Sequence, residues 1–272
     1  MFGALMVVCP ESCPRSQSCA LRLRPGKGLR CGRGLFHMAM FAWAEVTLSP
    51  RWKEPLLEKR VGAALDWLRG QGVREAVLPD AWQDLARSRH IAPISRERAL
   101  EACAGQAVQE ACRALGLPLS GIGLAVCGRS VSQTAAGELL SLARLVRTVR
   151  VCGEGNDSLR AQLWRSCGIV DRGPMPGDIP VVALRLRGGE APRGALLTVD
   201  LTGAAEEGDE RVWSPVLLPP EGALAQMPPG LAPDAFAAAL FAAGAVRSRE
   251  IHVSRLDIPE CTQYNKETII SC

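Results

Sequence analysis

The sequence predicts an α/β fold in three layers, with a mostly parallel sheet and helices on both of its faces. The prediction comes from residues 121–171, where a short apolar segment, a glycine-containing turn and a helical segment follow one another and then repeat. Parallel strands need such crossover connections, and strands buried on both faces read as nearly unbroken apolar runs. We therefore expect the runs around Val126, Val151 and Val182 to lie side by side, parallel, in one sheet.

The other elements follow from local patterns along the chain. Apolar residues at three-to-four spacing indicate amphipathic helices, and short apolar runs between turn residues indicate strands. We expect Asp80, Ser95 and Asp234 to cap their helices, because short polar side chains accept hydrogen bonds from first-turn amides. Five prolines predict an extended loop over residues 217–233. The predicted strands are 41–48, 73–78, 122–127, 149–152, 181–186, 195–201 and 251–258; the predicted helices are 55–70, 81–87, 96–115, 132–146, 158–167 and 234–243.

Composition divides the chain into four parts. Residues 1–37 combine Pro, Ser, Gly, Arg and Cys without a strand or helix period, so we expect a disordered head or a start placed upstream of the native one. A smaller α/β lobe is expected over residues 42–118 and a Rossmann-like domain over residues 119–258. Residues 259–272 are a polar tail.

The head also offers a candidate zinc site. Its possible ligands are Cys9, Cys13, Cys19, Cys31 and His37. Their spacing lacks the paired, closely spaced ligands of common structural zinc sites. We therefore predict no metal site.

Composition and charge exclude several classes of partner. The formal charge of +4 comes from six basic side chains against one acidic side chain in the head, and the rest of the chain is near neutral. This balance gives no electrostatic footprint for nucleic acid. No apolar run approaches the roughly 18 residues that a membrane span needs. Eleven cysteines without a convincing signal peptide favour a reduced compartment, so we expect a soluble, cytoplasmic protein.

The turn after the first strand of the repeat is one candidate ligand site. A dinucleotide fingerprint needs glycine where Gly128, Ser130 and Gln133 stand, and only Gly128 fits. Four residues could still hold an anion through side chains and amides: Arg129, Ser130, Ser132 and Thr134. The alternative is an ordinary turn in which Ser132 is the N-cap of the following helix.

The turn after the second strand is closer to the fingerprint. Gly153 and Gly155 occupy the first two glycine positions, Asn156 follows them, and Ser158 takes the third position. Asp171 lies 18 residues after Gly153, near where a ribose-binding acid would stand. Two acidic residues in this turn argue against phosphate, and a capped surface turn is the alternative. Only one of the two turns can open a dinucleotide-binding unit.

In strand order and in these two glycine turns, residues 121–203 resemble the dinucleotide-binding domains of shikimate-dehydrogenase-like proteins. The resemblance implies that this domain binds a nicotinamide cofactor, NAD(P), and that the lobe before it in the chain binds the substrate. It therefore implies an NAD(P)-dependent dehydrogenase or reductase that uses the second turn and Asp171.

Signatures of catalysis are incomplete. The three histidines are far apart in sequence, and no nucleophile elbow, zinc-protease motif or P-loop occurs. Asp200, at the end of a predicted strand, is the best acid for catalysis or metal binding, although turn formation is commoner. Cys127 and Cys152 each end a predicted strand. They could form a redox pair, but the simpler interpretation is two small buried side chains.

We therefore interpret the chain as a degenerate Rossmann-like protein, non-catalytic or regulatory, that binds a small anionic ligand or a protein partner. The alternative is the dehydrogenase or reductase. A third hypothesis is that the alanine-rich helix at residues 236–243 seals an interface between subunits.

Overall fold

The computed structural model describes residues 1–8, 29–36, 39–47, 54–169, 179–202, 211–228 and 230–254. Within these residues the chain forms two five-stranded sheets, a two-stranded sheet and eight α-helices. The α/β class is confirmed, with helices flanking a parallel sheet in a Rossmann-like arrangement. No helix in the described part is long and apolar enough to cross a membrane.

The first sheet has five strands: β1 (Phe2–Val8), β2 (Leu29–Phe36), β3 (Ala39–Thr47), β4 (Glu75–Val77) and β5 (Ala92–Pro93). Their order in the sheet is β2-β3-β1-β4-β5. Strand β2 runs antiparallel to β3, and the other neighbours pair in parallel.

Strand β1 lies at the centre of this sheet, where the sequence led us to expect a disordered head. Phe2, Ala4, Leu5 and Met6 are buried, because helices cover both faces of the strand. Such a strand is apolar throughout and shows no alternation, which explains why its pattern was missed. The expectation of disorder is therefore wrong for residues 2–8 and 29–36. The division into domains stays a prediction.

Helices α1 (Glu54–Gly70) and α2 (Gln83–Ser88) connect strands of the first sheet, and helices α3 (Arg96–Ala102) and α4 (Ala104–Ala114) lead from the first sheet to the second. The predicted helix over residues 96–115 is divided at Cys103, whose backbone leaves the helical region. Asp80 does not cap α2, since a 3₁₀ turn, Asp80–Trp82, comes first. Ser95 stands at the start of α3 but makes no capping hydrogen bond.

The second sheet has five strands: β6 (Gly123–Cys127), β7 (Thr148–Cys152), β8 (Val181–Arg185), β9 (Leu197–Asp200) and β10 (Val212–Trp213). Helix α5 (Gln133–Ala143) follows β6, and helix α6 (Asp157–Cys167) follows β7. The sheet is parallel throughout, in the order β10-β9-β8-β6-β7. Val126 pairs with Val151, and Leu124 pairs with Val182, so the three apolar runs lie side by side as the sequence predicts.

One hydrophobic core joins the facing sides of the two sheets. Helix α8 (Pro233–Ala242) lies within it, and the ring of Phe236 stands 5.3 Å from the ring of Phe41 on β3. Phe236 and residues 237–240 are buried inside the protein, whereas Ala242 and Ala243 are exposed. The buried part of this helix contacts its own chain, and the hypothesis that the helix seals a subunit interface stays a prediction. Asp234 lies in the first turn of α8 without capping it, and pairs with Arg96 at 3.2 Å.

The proline-rich segment is more ordered than a loop. Strand β11 (Val216–Leu218) pairs antiparallel with β12 (His252–Ser254), and α7 (Glu221–Leu224) follows β11. The expectation of an extended loop over residues 217–233 is therefore wrong at its start. Prolines at strand and helix ends are compatible with both elements, since neither needs their missing amides.

The outer face of the second sheet is lined by small side chains. Ala125, Cys127 and Ala183 are buried there, and among the described residues they pack against Ala191 and Ala195 of the loop after β8. Because these side chains are small, the loop after β8 lies close to the sheet and reaches the carboxyl ends of β6 and β7.

Candidate functional site

A cleft of about 820 Å³ opens at the carboxyl ends of β6, β7 and β8. The chain passes from β7 over β6 to β8, so this is the point where the strand order reverses, and such points commonly bind ligands in α/β sheets. Residues 127–129, 152–155 and 188–190 line the cleft. Both predicted turns therefore meet at one site, together with a third loop that the sequence analysis left unassigned.

Glycines allow these three loops to touch. Gly153 and Gly155 have φ values of +96° and +80°, which disfavour any side chain. A Cβ on Gly153 would stand 2.4 Å from the carbonyl oxygen of Gly128, and one on Gly155 would stand 2.8 Å from that of Arg129. A Cβ on Gly189 would stand 2.2 Å from the carbonyl oxygen of Cys127. These glycines thus allow the loops to contact each other. In a dinucleotide-binding turn the pyrophosphate comes close to the second glycine, but here the Arg129 carbonyl occupies that position.

Asn156 locks the first two turns together. Its Nδ2 donates to the carbonyl oxygens of Gly128, at 2.8 Å, and Cys152, at 3.4 Å. The side chain is buried, and its Oδ1 has no hydrogen-bond partner among the described residues. Asn156 therefore holds the loops in position and does not line the cleft.

Ser132 is the N-cap of α5, as the alternative interpretation of the first turn proposed. Its Oγ accepts a hydrogen bond from the amide of Ala135 at 3.1 Å and donates one to the carboxylate of Glu101 at 2.5 Å. The Glu101 side chain is buried. The pKa of the nearby Glu97 carboxyl is raised, first by burial and then by the negative charge of Glu101, and the positive charge of Arg187 offsets part of this rise. A carboxylate at this helix end disfavours the binding of an anion there.

Arg129 brings a positive charge to the cleft. Its amide donates to the carbonyl of Arg187 at 3.2 Å, so the backbone of the first turn is already bonded to the third loop. Its guanidinium makes no hydrogen bond or ion pair with any described residue, and the side-chain carbons lie against Gly188. Ser130, the next residue, is exposed.

Sequence comparison assigns no family to this arrangement. No protein-family model matches the chain, and no curated protein sequence is significantly similar to it. What the cleft binds must therefore be inferred from the groups that line it.

The second turn carries mixed charge. Asp157 begins α6 and pairs with Arg160 at 3.1 Å. Arg160 also donates to the carbonyl oxygens of Val151, at 3.0 Å, and Gly153, at 2.9 Å, which satisfies carbonyl groups at the end of the edge strand β7. Glu154 and Glu190 line the cleft together with Arg129, so the charges that face the cleft are mixed.

Asp200 is not available as a catalytic acid. The carboxylate is fully buried and accepts two hydrogen bonds from Arg185, at 3.1 Å and 3.0 Å. It accepts two more from the amide and hydroxyl groups of Thr202, at 3.0 Å and 2.8 Å. Three of these hydrogen bonds go to Oδ1 and one goes to Oδ2, so the buried carboxylate is held within the protein and Asp200 is a structural acid of β9.

Several predicted site residues remain untested. Asp171 lies outside the described residues, as do four of the five candidate zinc ligands of the head. The fifth ligand, Cys31, is a buried free thiol in the core under α1, and burial raises its pKa to about 11. Among the described residues, no group of three or more metal-ligating side chains comes together.

The loop formed by Gly188, Gly189 and Glu190 was predicted only as a turn between two strands and not as part of a site. A signal was present, since two adjacent glycines follow the apolar strand β8 just as single glycines follow β6 and β7. Three strands of one parallel sheet, each with glycine within three residues beyond its carboxyl end, indicate loops that meet there.

Proposed function

We propose that this protein binds a small anionic ligand in the cleft and that its role is regulatory and not catalytic. The observation that carries the proposal is the guanidinium of Arg129, which pairs with no described residue and stands beside a cleft walled by the backbone of three loops. A bidentate cation with several donors suits a carboxylate or a phosphate.

A regulatory role is supported by how the other polar groups near the cleft are used. Asp200, Ser132 and Asn156 are each held by hydrogen bonds within the protein. In the described part of the cleft, this leaves two carboxylates, two thiols and Arg129 as the ionisable groups facing a ligand. Binding without turnover fits this set better than acid–base catalysis does.

The alternative is an NAD(P)-dependent dehydrogenase or reductase. It is favoured by the positive φ values of Gly153 and Gly155, which a dinucleotide-binding turn requires. It is opposed by the contact between Gly155 and the Arg129 carbonyl and by the position of β7 at the edge of the sheet. Binding of either nicotinamide cofactor together with hydride transfer would decide in its favour.

The protein could instead bind a protein partner. Trp164 on α6 is 62% exposed, and a large exposed aromatic side chain is typical of contact surfaces. We further propose a cytoplasmic location, which is supported by the six described cysteines, since all of them are free thiols.

Thermal shift with inorganic phosphate, small carboxylates, mononucleotides and both nicotinamide dinucleotides tests the proposal. A ligand at a hundredfold excess over its dissociation constant stabilises the folded state by about 2.7 kcal/mol. We expect Arg129→Ala to weaken the binding of that ligand roughly 10- to 100-fold, the equivalent of one charge-assisted hydrogen bond.

Arg165→Ala is the matched control. Arg165 is an exposed arginine on α6 that bonds only to its own helix among the described residues, so its loss should leave binding unchanged. Equal affinity in the Arg129→Ala variant, or no melting-point rise with any compound of the panel, would contradict the proposal.

A further inference from the structure

Cys127 and Cys152 are direct neighbours at the floor of the cleft. They are the last residues of β6 and β7 and pair in register, so their side chains leave the sheet on the same face. Both line the cleft. The proposed ligand does not require them, and in the described part of the cleft they are the only thiols.

The spacing of the two strands suits a covalent bond between these residues. Neighbouring strands lie about 4.8 Å apart, within the roughly 4.4–6.8 Å separation of Cα atoms that a disulfide spans. Each cysteine is followed by a glycine, Gly128 or Gly153, so the backbone beyond the bond can adjust. In-register neighbours hold their Cβ atoms farther apart than the preferred value of about 3.8 Å, and a strained disulfide is readily reduced again.

We propose that Cys127 and Cys152 are a redox-sensitive modification site that closes to a reversible disulfide on reaction with low-molecular-weight disulfides. The cleft gives such a molecule access to Cys152, which is half-buried, whereas Cys127 is 1% exposed. Cys152 is therefore the attacking residue and Cys127 the resolving residue. This proposal does not depend on which ligand the cleft binds.

The reaction proceeds by two thiol–disulfide exchanges. The Cys152 thiolate attacks one sulfur of the small disulfide, a mixed disulfide forms, and the first small thiolate leaves and takes up the proton that Cys152 lost. Cys127 then gives up its proton and attacks the Cys152 sulfur, which forms the bond within the protein and releases the second small thiol with that proton. Two protein thiols are oxidised, and one small disulfide is reduced to two thiols.

The environment of two other described thiols, Cys103 and Cys112, makes them poor competitors for this reaction. Burial raises the pKa of Cys103 to about 12 and that of Cys112 above its usual value, so neither forms a thiolate readily. Burial and the neighbouring Cys152 likewise raise the pKa of Cys127 to about 12. A protonated, enclosed Cys127 reacts only with a sulfur that is already beside it, which is the property a resolving thiol needs.

Peptide mapping of the full chain in glutathione redox buffers tests the proposal. Trypsin cleaves after Arg113, Arg129, Arg150 and Arg160, so residues 114–129 and 151–160 become separate peptides with one cysteine each. After the free thiols are blocked with N-ethylmaleimide, we expect these two peptides to appear linked as glutathione disulfide increases. The link should disappear after reduction.

Two variants sharpen the test. Cys127→Ala removes the resolving thiol, so Cys152 should retain one glutathionyl group, whereas Cys167→Ser, on α6, should form the same link as the wild type. Full alkylation of both cysteines at every glutathione ratio would overturn the proposal, as would a Cys152 without glutathione in the folded Cys127→Ala variant. If that variant does not fold, the link in the wild-type protein decides.

Discussion

The side-chain amide of Asn156 donates a 2.8 Å hydrogen bond to the carbonyl oxygen of Gly128, which lies 28 positions earlier in the chain. This bond joins the turn after β7 to the turn after β6. Because Asn156 is also buried, it fixes the distance between two of the three loops that line the cleft. The shape of the site therefore depends on a residue that does not line it.

We expect Asn156→Ala to destabilise the protein by about 1–3 kcal/mol, since it leaves the Gly128 carbonyl buried without its donor. Urea unfolding followed by circular dichroism measures the change. Gln133→Ala is the control, because Gln133 is exposed in the first turn of α5 and its loss should stay within about 0.5 kcal/mol. Equal midpoints for the two variants would show that the bond between the turns contributes nothing.

The sequence carried enough information to place the loops but not to describe their contacts. Apolar runs predicted that β6, β7 and β8 are adjacent and parallel, and this alone brings Gly128 and Gly153 to the same edge. Whether a polar residue such as Asn156 faces a ligand or a neighbouring loop depends on distances of a few ångströms between segments that are remote in sequence. Periodicity does not encode those distances.

Gly153→Ala should destabilise the protein, because the new Cβ would stand 2.4 Å from the Gly128 carbonyl oxygen at a φ of +96°. We expect a loss of more than about 1 kcal/mol, since alanine at a φ that it does not readily adopt costs more than it gains at compatible positions. The measurement is the free energy of unfolding in urea.

Gly137→Ala is the matched control for this change. Gly137 lies within α5 with open space around its Cα, so alanine should stabilise the helix by roughly 0.5–1 kcal/mol. Opposite signs for the two glycine substitutions are the expected result. A stabilising Gly153→Ala would mean that the loops do not touch there.

The head of the chain shows where composition misleads. Residues 1–37 look disordered on average, yet the apolar segment Phe2–Val8 is the central strand of the first sheet. Averaging this short run with the polar residues that follow hides it, and its partners β3 and β4 are remote in sequence. The amphipathic helix α1 was predicted within one residue, because its pattern is local and long.

Leu5→Ala tests whether the head belongs to the core. Leu5 is 2% exposed under α1, so its truncation should cost about 2–5 kcal/mol in the free energy of unfolding. Leu35→Ala, on β2, should cost little, because Leu35 is 60% exposed. Denaturant midpoints compare the two, and a Leu5→Ala variant as stable as Leu35→Ala would place β1 outside the cooperative fold.

The carboxyl group of Glu138, on α5, makes the stability of the protein depend on pH. Burial raises the pKa of this group, while a hydrogen bond from the amide of Gly105, in the first turn of α4, holds back part of the rise. The folded protein therefore binds this proton more tightly than the unfolded chain does. The stabilisation is present below the unfolded-state pKa and is lost as the pH rises through the folded-state value.

Glu138→Gln keeps an acceptor for the Gly105 amide but cannot ionise. Its stability relative to the wild type should therefore increase from about pH 4 to pH 7, because only the wild type must then hold a half-buried charge at this position. Unfolding free energies across this range give the measurement, and Glu58→Gln, at an exposed position of α1, is the control. A Glu138→Gln variant that loses stability relative to the wild type as the pH rises would mean that the N-terminus of α4 favours the carboxylate more than burial opposes it.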